Sequence, residues 1–247
     1  THITQPLIMK GFDYAINLYP DLGLRHSNDI DVLVSPTVFN DVSNHLSQSM
    51  TVRTPPSENR YADEPSSATT FEMSGITLDL HKSPIMPHQT RLDTDEMLAR
   101  SHSGKLGQCD VLFPHRLDRL WLWLHNFTKN FQPVTMHSLL DLVLIMKSLE
   151  LHIDPSEWDS IHAECAVMGL SPSLDLALSY LEDSHLWSTQ LPSTHLQQPK
   201  YTLDRWLRIP HNQGVPATVL KGILLIKRTI PEGRIAVAKR LLNRIYN

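Results

Sequence analysis

The stretch Arg25-His26-Ser27-Asn28-Asp29-Ile30-Asp31-Val32-Leu33-Val34 decides how this chain is read. After Asn28 it is apolar and β-branched, which predicts a strand. Side chains alternate along a strand, so Asp29 and Asp31 share one face while Ile30, Val32 and Val34 face a core. Two neighbouring carboxylates repel and resist joint ionisation unless a cation lies between them. Mg²⁺ fits that place, with Mn²⁺ as its substitute, because both take oxygen ligands and Mg²⁺ commonly pairs one or two carboxylates with substrate phosphates. The repulsion also predicts that Asp29→Asn or Asp31→Asn leaves the metal-free protein as stable as before, or more so.

Outward from this stretch, Thr69–Met73 and Ile76–His81 are joined by Ser74-Gly75 and read as a β-hairpin with a two-residue turn. In the second strand Ile76, Leu78 and Leu80 face one way, and Thr77, Asp79 and His81 the other. If that strand lies beside Asp29–Val34, Asp79 reaches the same ion as Asp29 and Asp31. It then supplies the third carboxylate that metal-dependent phosphoryl transfer commonly uses. His81, on the same face, is a hydrogen-bond partner for an aspartate first, and a phosphate ligand or proton donor second.

Upstream, Leu7-Ile8-Met9 predicts a short strand with a tight exit at Lys10-Gly11, then a helix from Phe12 to Tyr19 stopped by Pro20. Ser35-Pro36 predicts a helix start whose buried stripe is Val38, Val42 and Leu46. Arg53 to Ser67 reads as a loop. A short helix is expected near Asp93–Ser101, then a strand pair near Lys105–Phe113 with Gly104 and Gly107 as turn residues. From Pro114 the spacing is helical, with stripes at Leu117, Leu120, Trp121, Leu124 and Phe127 and at Leu139, Leu142, Val143, Ile145, Met146 and Leu149. Trp121 and Trp123 are read as core and interface, with stacking on a base as the alternative. Ser156–Val167 and Ser171–Leu186 follow, then a loop to Gln198 and helices over Val215–Arg228 and Glu232–Tyr246.

Taken in order, Lys10-Gly11, Tyr19-Pro20, Arg25, Asp29-Ile30-Asp31 and Asp79-Leu80-His81 resemble the polymerase-β-like nucleotidyltransferase superfamily. The likeness is greatest to a little-characterised bacterial family within it, and it continues through Pro114, His125 and Asp141-Leu142. The resemblance implies an α+β fold: a nucleotidyltransferase-like α/β domain with a mixed sheet over residues 1–113, then a helical domain over 114–247. It implies that Asp29 and Asp31 bind the catalytic metal and that Asp79 is third ligand and base. A Gly-Ser pair grips the triphosphate in the superfamily. Here the turn is Lys10-Gly11-Phe12, without the serine, and the phosphate-binding set becomes Lys10, Gly11, Arg25, Ser27 and His81. Lys10 is alternatively a solvated strand end, and Arg25 an ion-pair partner of Asp29 or Asp31. His125 and Asp141 lie on core stripes, as a bonded pair between two helices or as lining of a cleft between the domains.

The implied reaction is Mg²⁺-dependent transfer of a nucleoside monophosphate from an NTP, ATP first, to an acceptor hydroxyl. The rival readings are a degenerate nucleotide-binding or scaffold protein and a phosphotransferase. Composition agrees with a cytoplasmic globular protein: 41% hydrophobic and 19% charged residues, and two cysteines in no metal-ligand spacing. No apolar run is long enough to span a bilayer, and the first residues lack a signal-peptide pattern. Ten of the 22 Lys and Arg, but only Asp204 and Glu232 among the 26 acids, lie from Lys200 onward. That basic C-terminal region either docks a partner or packs on the acidic body.

Overall fold

Apolar triplets and β-branched runs become strands here, and the turn residues between them set the pairing. The computed structural model describes residues 5–54, 68–85, 92–129, 135–150 and 157–183. The readings for 55–67, for the loop to Gln198 and for the basic C-terminal helices lie outside the described residues. Strand β1 (Leu7–Met9) runs straight into helix α1 (Lys10–Asn17), and a short 3-10 turn at Leu22–Leu24 leads to β2 (Asp29–Leu33). Helix α2 (Phe39–Leu46) precedes β3 (Thr51–Thr54), β4 (Ala68–Met73) and β5 (Ile76–His81). Then come α3 (Thr94–Arg100), β6 (His102–Leu106), β7 (Cys109–Phe113) and four helices: α4 (Arg116–Lys129), α5 (Met136–Glu150), α6 (Trp158–Val167) and α7 (Ser171–Asp183).

The strands form one mixed sheet in the order β3-β4-β5-β2-β1-β7-β6. β2 runs parallel to β5 and β1 parallel to β7, while the other neighbours are antiparallel. The β4–β5 hairpin turns through Ser74 and Gly75, both with positive φ (51° and 79°), the conformation of the two-residue turn that matches strand twist. On one sheet face Ile8, Val32, Val34, Phe71, Leu80, Val111 and Phe113 close around Phe39 of α2. Phe12 and Ile16 of α1, and Val38, Val42 and Leu46 beside α2, cover its margin. Burying a side chain such as Phe71 contributes about 1.5–3 kcal/mol.

Three readings of local structure are corrected. Helix α2 begins at Phe39 and not at Pro36, because the Ser35 hydroxyl bonds the Thr37 hydroxyl and the Val38 N–H bonds the Ser35 carbonyl in a separate turn. Thr51–Thr54 is an edge strand where a loop was expected from Arg53, held by pairing to β4 and by Arg53 bonding Glu72. Gly104 is a strand residue opposite Val111, and only Gly107 (φ 61°) turns the chain. A Cβ at Gly104 would lie 2.5 Å from the Phe113 ring, so glycine is kept there for the ring.

By compactness the chain divides into two units, Thr1–Met86 with Leu92–Leu122, and Pro87–Arg91 with Trp123–Asn247. The first holds the sheet. Two ion pairs that sequence spacing does not reveal fasten it: Arg119 grips Asp13 through two bonds of 2.8 and 3.0 Å, and Arg100 grips Asp118. In the second unit Trp123 stacks on Phe127 and donates its indole N–H to the Ser138 carbonyl at 3.0 Å, which agrees with reading it as core. His125 and Asp141 are both buried there.

Asp13 is fully buried, and burial pushes its carboxyl upward against the pull of Arg119. Removing the guanidinium therefore strands a carboxylate in the interior. Arg119→Met is expected to cost about 3–5 kcal/mol, whereas Asp13→Leu combined with Arg119→Met recovers most of it. Urea denaturation of the two variants checks the difference.

Candidate active site

The register of β1 against β2 places Met9 opposite Asp31, and the chain turns at the next residue. Lys10 takes a left-handed backbone (φ 55°), rare for a residue with a Cβ and costing roughly 1–2 kcal/mol. From that position its ammonium reaches back across the strand pair and bonds Asp31 Oδ1 at 2.5 Å. His81 Nε2 lies 2.8 Å from the same oxygen. Burial alone would raise the Asp31 carboxyl, but the Lys10 charge and the His81 bond outweigh it and hold it at about 2. An ionised carboxylate only accepts, so Nε2 carries the proton of that bond. Burial, then the Lys10 charge, push the imidazole below its ordinary value, which leaves it neutral. Among the described residues its buried Nδ1 has no hydrogen-bond partner, as suits the bare nitrogen of that tautomer.

Parallel pairing sets Asp79 of β5 directly beside Asp31 of β2, on the same face. Thr70, opposite Asp79 on β4, donates its hydroxyl to Asp79 Oδ1 at 2.7 Å. Ligand atoms of Asp31, Asp79 and His81 all lie within 4.8 Å of one another. The donors to the two carboxylates fall on Oδ1 in each case, so among the described residues each Oδ2 carries no hydrogen bond. Two open carboxylate oxygens in a half-buried setting fit Mg²⁺, which needs few protein ligands when phosphates and water complete its shell. His81 Nε2 is spent on Asp31, so its part is to orient that carboxylate.

Asp29 lies one pleat before Asp31 on the same face and outside the close group. It is half-buried. Burial raises its carboxyl, and the charges of Asp31 and Asp79 raise it further.

At the turn, Gly11 has no Cβ for a structural reason. A Cβ there would lie 2.8 Å from Ser27 Oγ and 3.3 Å from Arg25 Nη2. The serine hydroxyl and the guanidinium thus close on the start of α1, beside Lys10. Ser27 also donates to the Asp29 carbonyl at 2.9 Å, and Arg25 to the His26 carbonyl, which ties both residues to the approach to β2. The structure therefore places Lys10, Gly11, Arg25, Ser27, Asp29, Asp31, Asp79 and His81 on or beside one sheet face, whereas His125 and Asp141 belong to the second unit. Thr70 was missed, although its signal was present: a two-residue turn pairing Met73 with Ile76 also pairs Thr70 with Asp79. The sequence reads Lys10 as a phosphate grip or a solvated end; in this structure it is partly buried and bonded to Asp31, which sets aside the solvated end.

A strand–turn–helix leading to an Asp-x-Asp strand, paired in a mixed sheet with a strand bearing a third acid, is the arrangement that the resemblance to nucleotidyltransferases implies. The family described as uncharacterised nucleotidyltransferase matches residues 1–184, and the chain belongs to it. No curated protein matches the chain. Among the described residues no helix is long and apolar enough to cross a membrane.

The two acids of β2 are not equivalent, which corrects the expectation drawn from repulsion alone. Asp31 is held ionised by Lys10 and His81, so Asp31→Asn is expected to cost on the order of 2 kcal/mol at neutral pH. Asp29 is held against ionisation, so Asp29→Asn should leave stability unchanged or raised. The pH dependence follows from the sign of the shift. A carboxyl lowered from 3.8 to about 2 contributes stability that is present above pH 4 and lost as pH falls toward 2. Thermal melts across that window should show the gap between the unsubstituted protein and Asp31→Asn closing.

Proposed function

We propose that this protein transfers a nucleoside monophosphate from an NTP, ATP first, to an acceptor hydroxyl with Mg²⁺ as cofactor. The observation that carries the reading is the direct register of Asp31 with Asp79 on one sheet face, each with an Oδ2 that takes no hydrogen bond among the described residues. Those two carboxylates would hold the cation, and Asp29 adds to the negative field around it. When bound, the cation supplies charge neutralisation on the phosphates and polarises the reacting phosphorus centre.

The chain's own residues do the rest. Ser27 and Arg25, gathered at Gly11, bind phosphate oxygens near the N-terminus of α1, where backbone N–H groups favour an anion. His81 fixes the Asp31 carboxylate, and Thr70 fixes Asp79. The acceptor oxygen attacks the α-phosphorus in line, the bond to the β-phosphate oxygen breaks, and pyrophosphate leaves. Asp79 takes the acceptor's proton. Positioning and charge neutralisation account for most of the acceleration.

The reading is tested by incubation with each NTP and Mg²⁺, with pyrophosphate release and the intact mass of acceptors measured together. Asp31→Ala and Asp79→Ala should each lower release by at least about 10²-fold, as loss of charge stabilisation in the transition state does elsewhere. A second reading, a nucleotide-binding scaffold on the same fold, is favoured by one observation: Lys10 already balances Asp31. It predicts nucleotide binding in calorimetry with no pyrophosphate from any NTP.

The phosphate grip has its own signature. Arg25→Ala should weaken NTP binding roughly ten- to a hundredfold while changing nucleoside binding little. Added salt should narrow that difference. Calorimetric titration with nucleoside, monophosphate and triphosphate checks it, and equal losses for all three would assign Arg25 to the fold.

A further inference from the structure

We infer that Lys10 is a built-in counter-ion of the acidic face, which opposes a divalent cation at Asp31 until it turns to the phosphates of the incoming nucleotide. The inference rests on the reading that Asp31 and Asp79 hold the cation. It adds a coupling between metal and nucleotide that the reading does not require.

The charge balance motivates it. Asp29, Asp31 and Asp79 share one face, and among the described residues Lys10 is the lysine or arginine bonded to the group. The ammonium sits 2.5 Å from Asp31, with side-chain exposures of 19% and 9% for the two residues. An ammonium and a dication on one carboxylate repel strongly in such a poorly solvated place. Metal alone therefore competes with a tethered cation. The tether is imposed by the fold: Lys10 is fixed at a left-handed turn position, and Asp13, three residues on, is clamped by Arg119.

Release has a destination. The Lys10 side chain is partly exposed and flexible, and the adjoining residues at Gly11, Ser27 and Arg25, suit an anion. A bound triphosphate gives the ammonium a new partner and leaves Asp31 to the metal. Metal and nucleotide then each raise the other's affinity, as any such linkage requires. In the absence of nucleotide the ammonium stays on Asp31 and weakens the hold of the acidic face on divalent ions.

The test is Mn²⁺ binding to the nucleotide-free protein, read from the electron paramagnetic resonance of free Mn²⁺, for the unsubstituted chain, Lys10→Met and Lys10→Gly. Glycine adopts φ 55° without strain, so Lys10→Gly keeps the turn if the methionine variant folds poorly. Both variants should bind Mn²⁺ at least about tenfold tighter than the parent. With Mn²⁺ held fixed, both should bind a non-hydrolysable α,β-methylene triphosphate at least about tenfold more weakly. A merely structural lysine would not move the two affinities in opposite directions. Unchanged or weaker Mn²⁺ binding in the folded variants overturns the inference. Adding Asp79→Ala to Lys10→Met should abolish the gained Mn²⁺ site; if the gain survives, the two-carboxylate metal site itself is wrong.

Discussion

The parallel pairing of β2 with β5 sets Asp31 directly against Asp79, and much of the site is a response to that juxtaposition. Like charges opposite each other on neighbouring strands destabilise a sheet. Here they are tolerated because each carboxylate has its own donors. Lys10 and His81 serve Asp31, and Thr70 serves Asp79. The donors come from three different strands or strand ends, so the pair is stable only when the whole centre of the sheet is assembled. The same donors leave one oxygen of each carboxylate open, and that openness turns an electrostatic problem into a place for a cation.

The two faces of the central strands divide the work. One face, with Ile8, Val32, Phe71 and Leu80, is packed under α1 and α2 and provides cohesion. The opposite face carries Asp29, Asp31, Asp79 and His81. Strand alternation makes this division automatic once the apolar face is buried, since a slip of one residue would put the acids in the core. The buried Asp13–Arg119 pair extends the arrangement to α1. It contributes less to net stability than to position, fixing the helix whose first residues are Lys10 and Gly11. The placement of Lys10 and Gly11 thus depends on a contact with α4 more than a hundred residues away in sequence.

Local signals that obey period and turn chemistry were legible in the amino-acid order. The Ser74-Gly75 hairpin, the acid-bearing face of β2, the short helix α3 and the stripe of α4 all follow from them. Features that depend on a distant neighbour were not. Gly104 resembled a turn residue because glycine usually marks turns, whereas here it makes room for the Phe113 ring. Thr51–Thr54 became a strand only because β4 offered it an edge, and Ser35-Pro36 made a separate turn before α2 began.

The sequence by itself determined which residues are the candidates for chemistry: the acids on alternate positions, the glycine at the first turn, and the basic and hydroxyl residues flanking both. Their identity and spacing are local properties, governed by strand period and turn preference. Tertiary structure decided their relations. It chose Lys10, not Arg25, to balance Asp31, assigned Ser27 and Arg25 to Gly11, and made Asp29 unlike Asp31 in its readiness to ionise. Those outcomes depend on distances and on the water each group loses, and both are fixed only when strands far apart in sequence come to lie side by side.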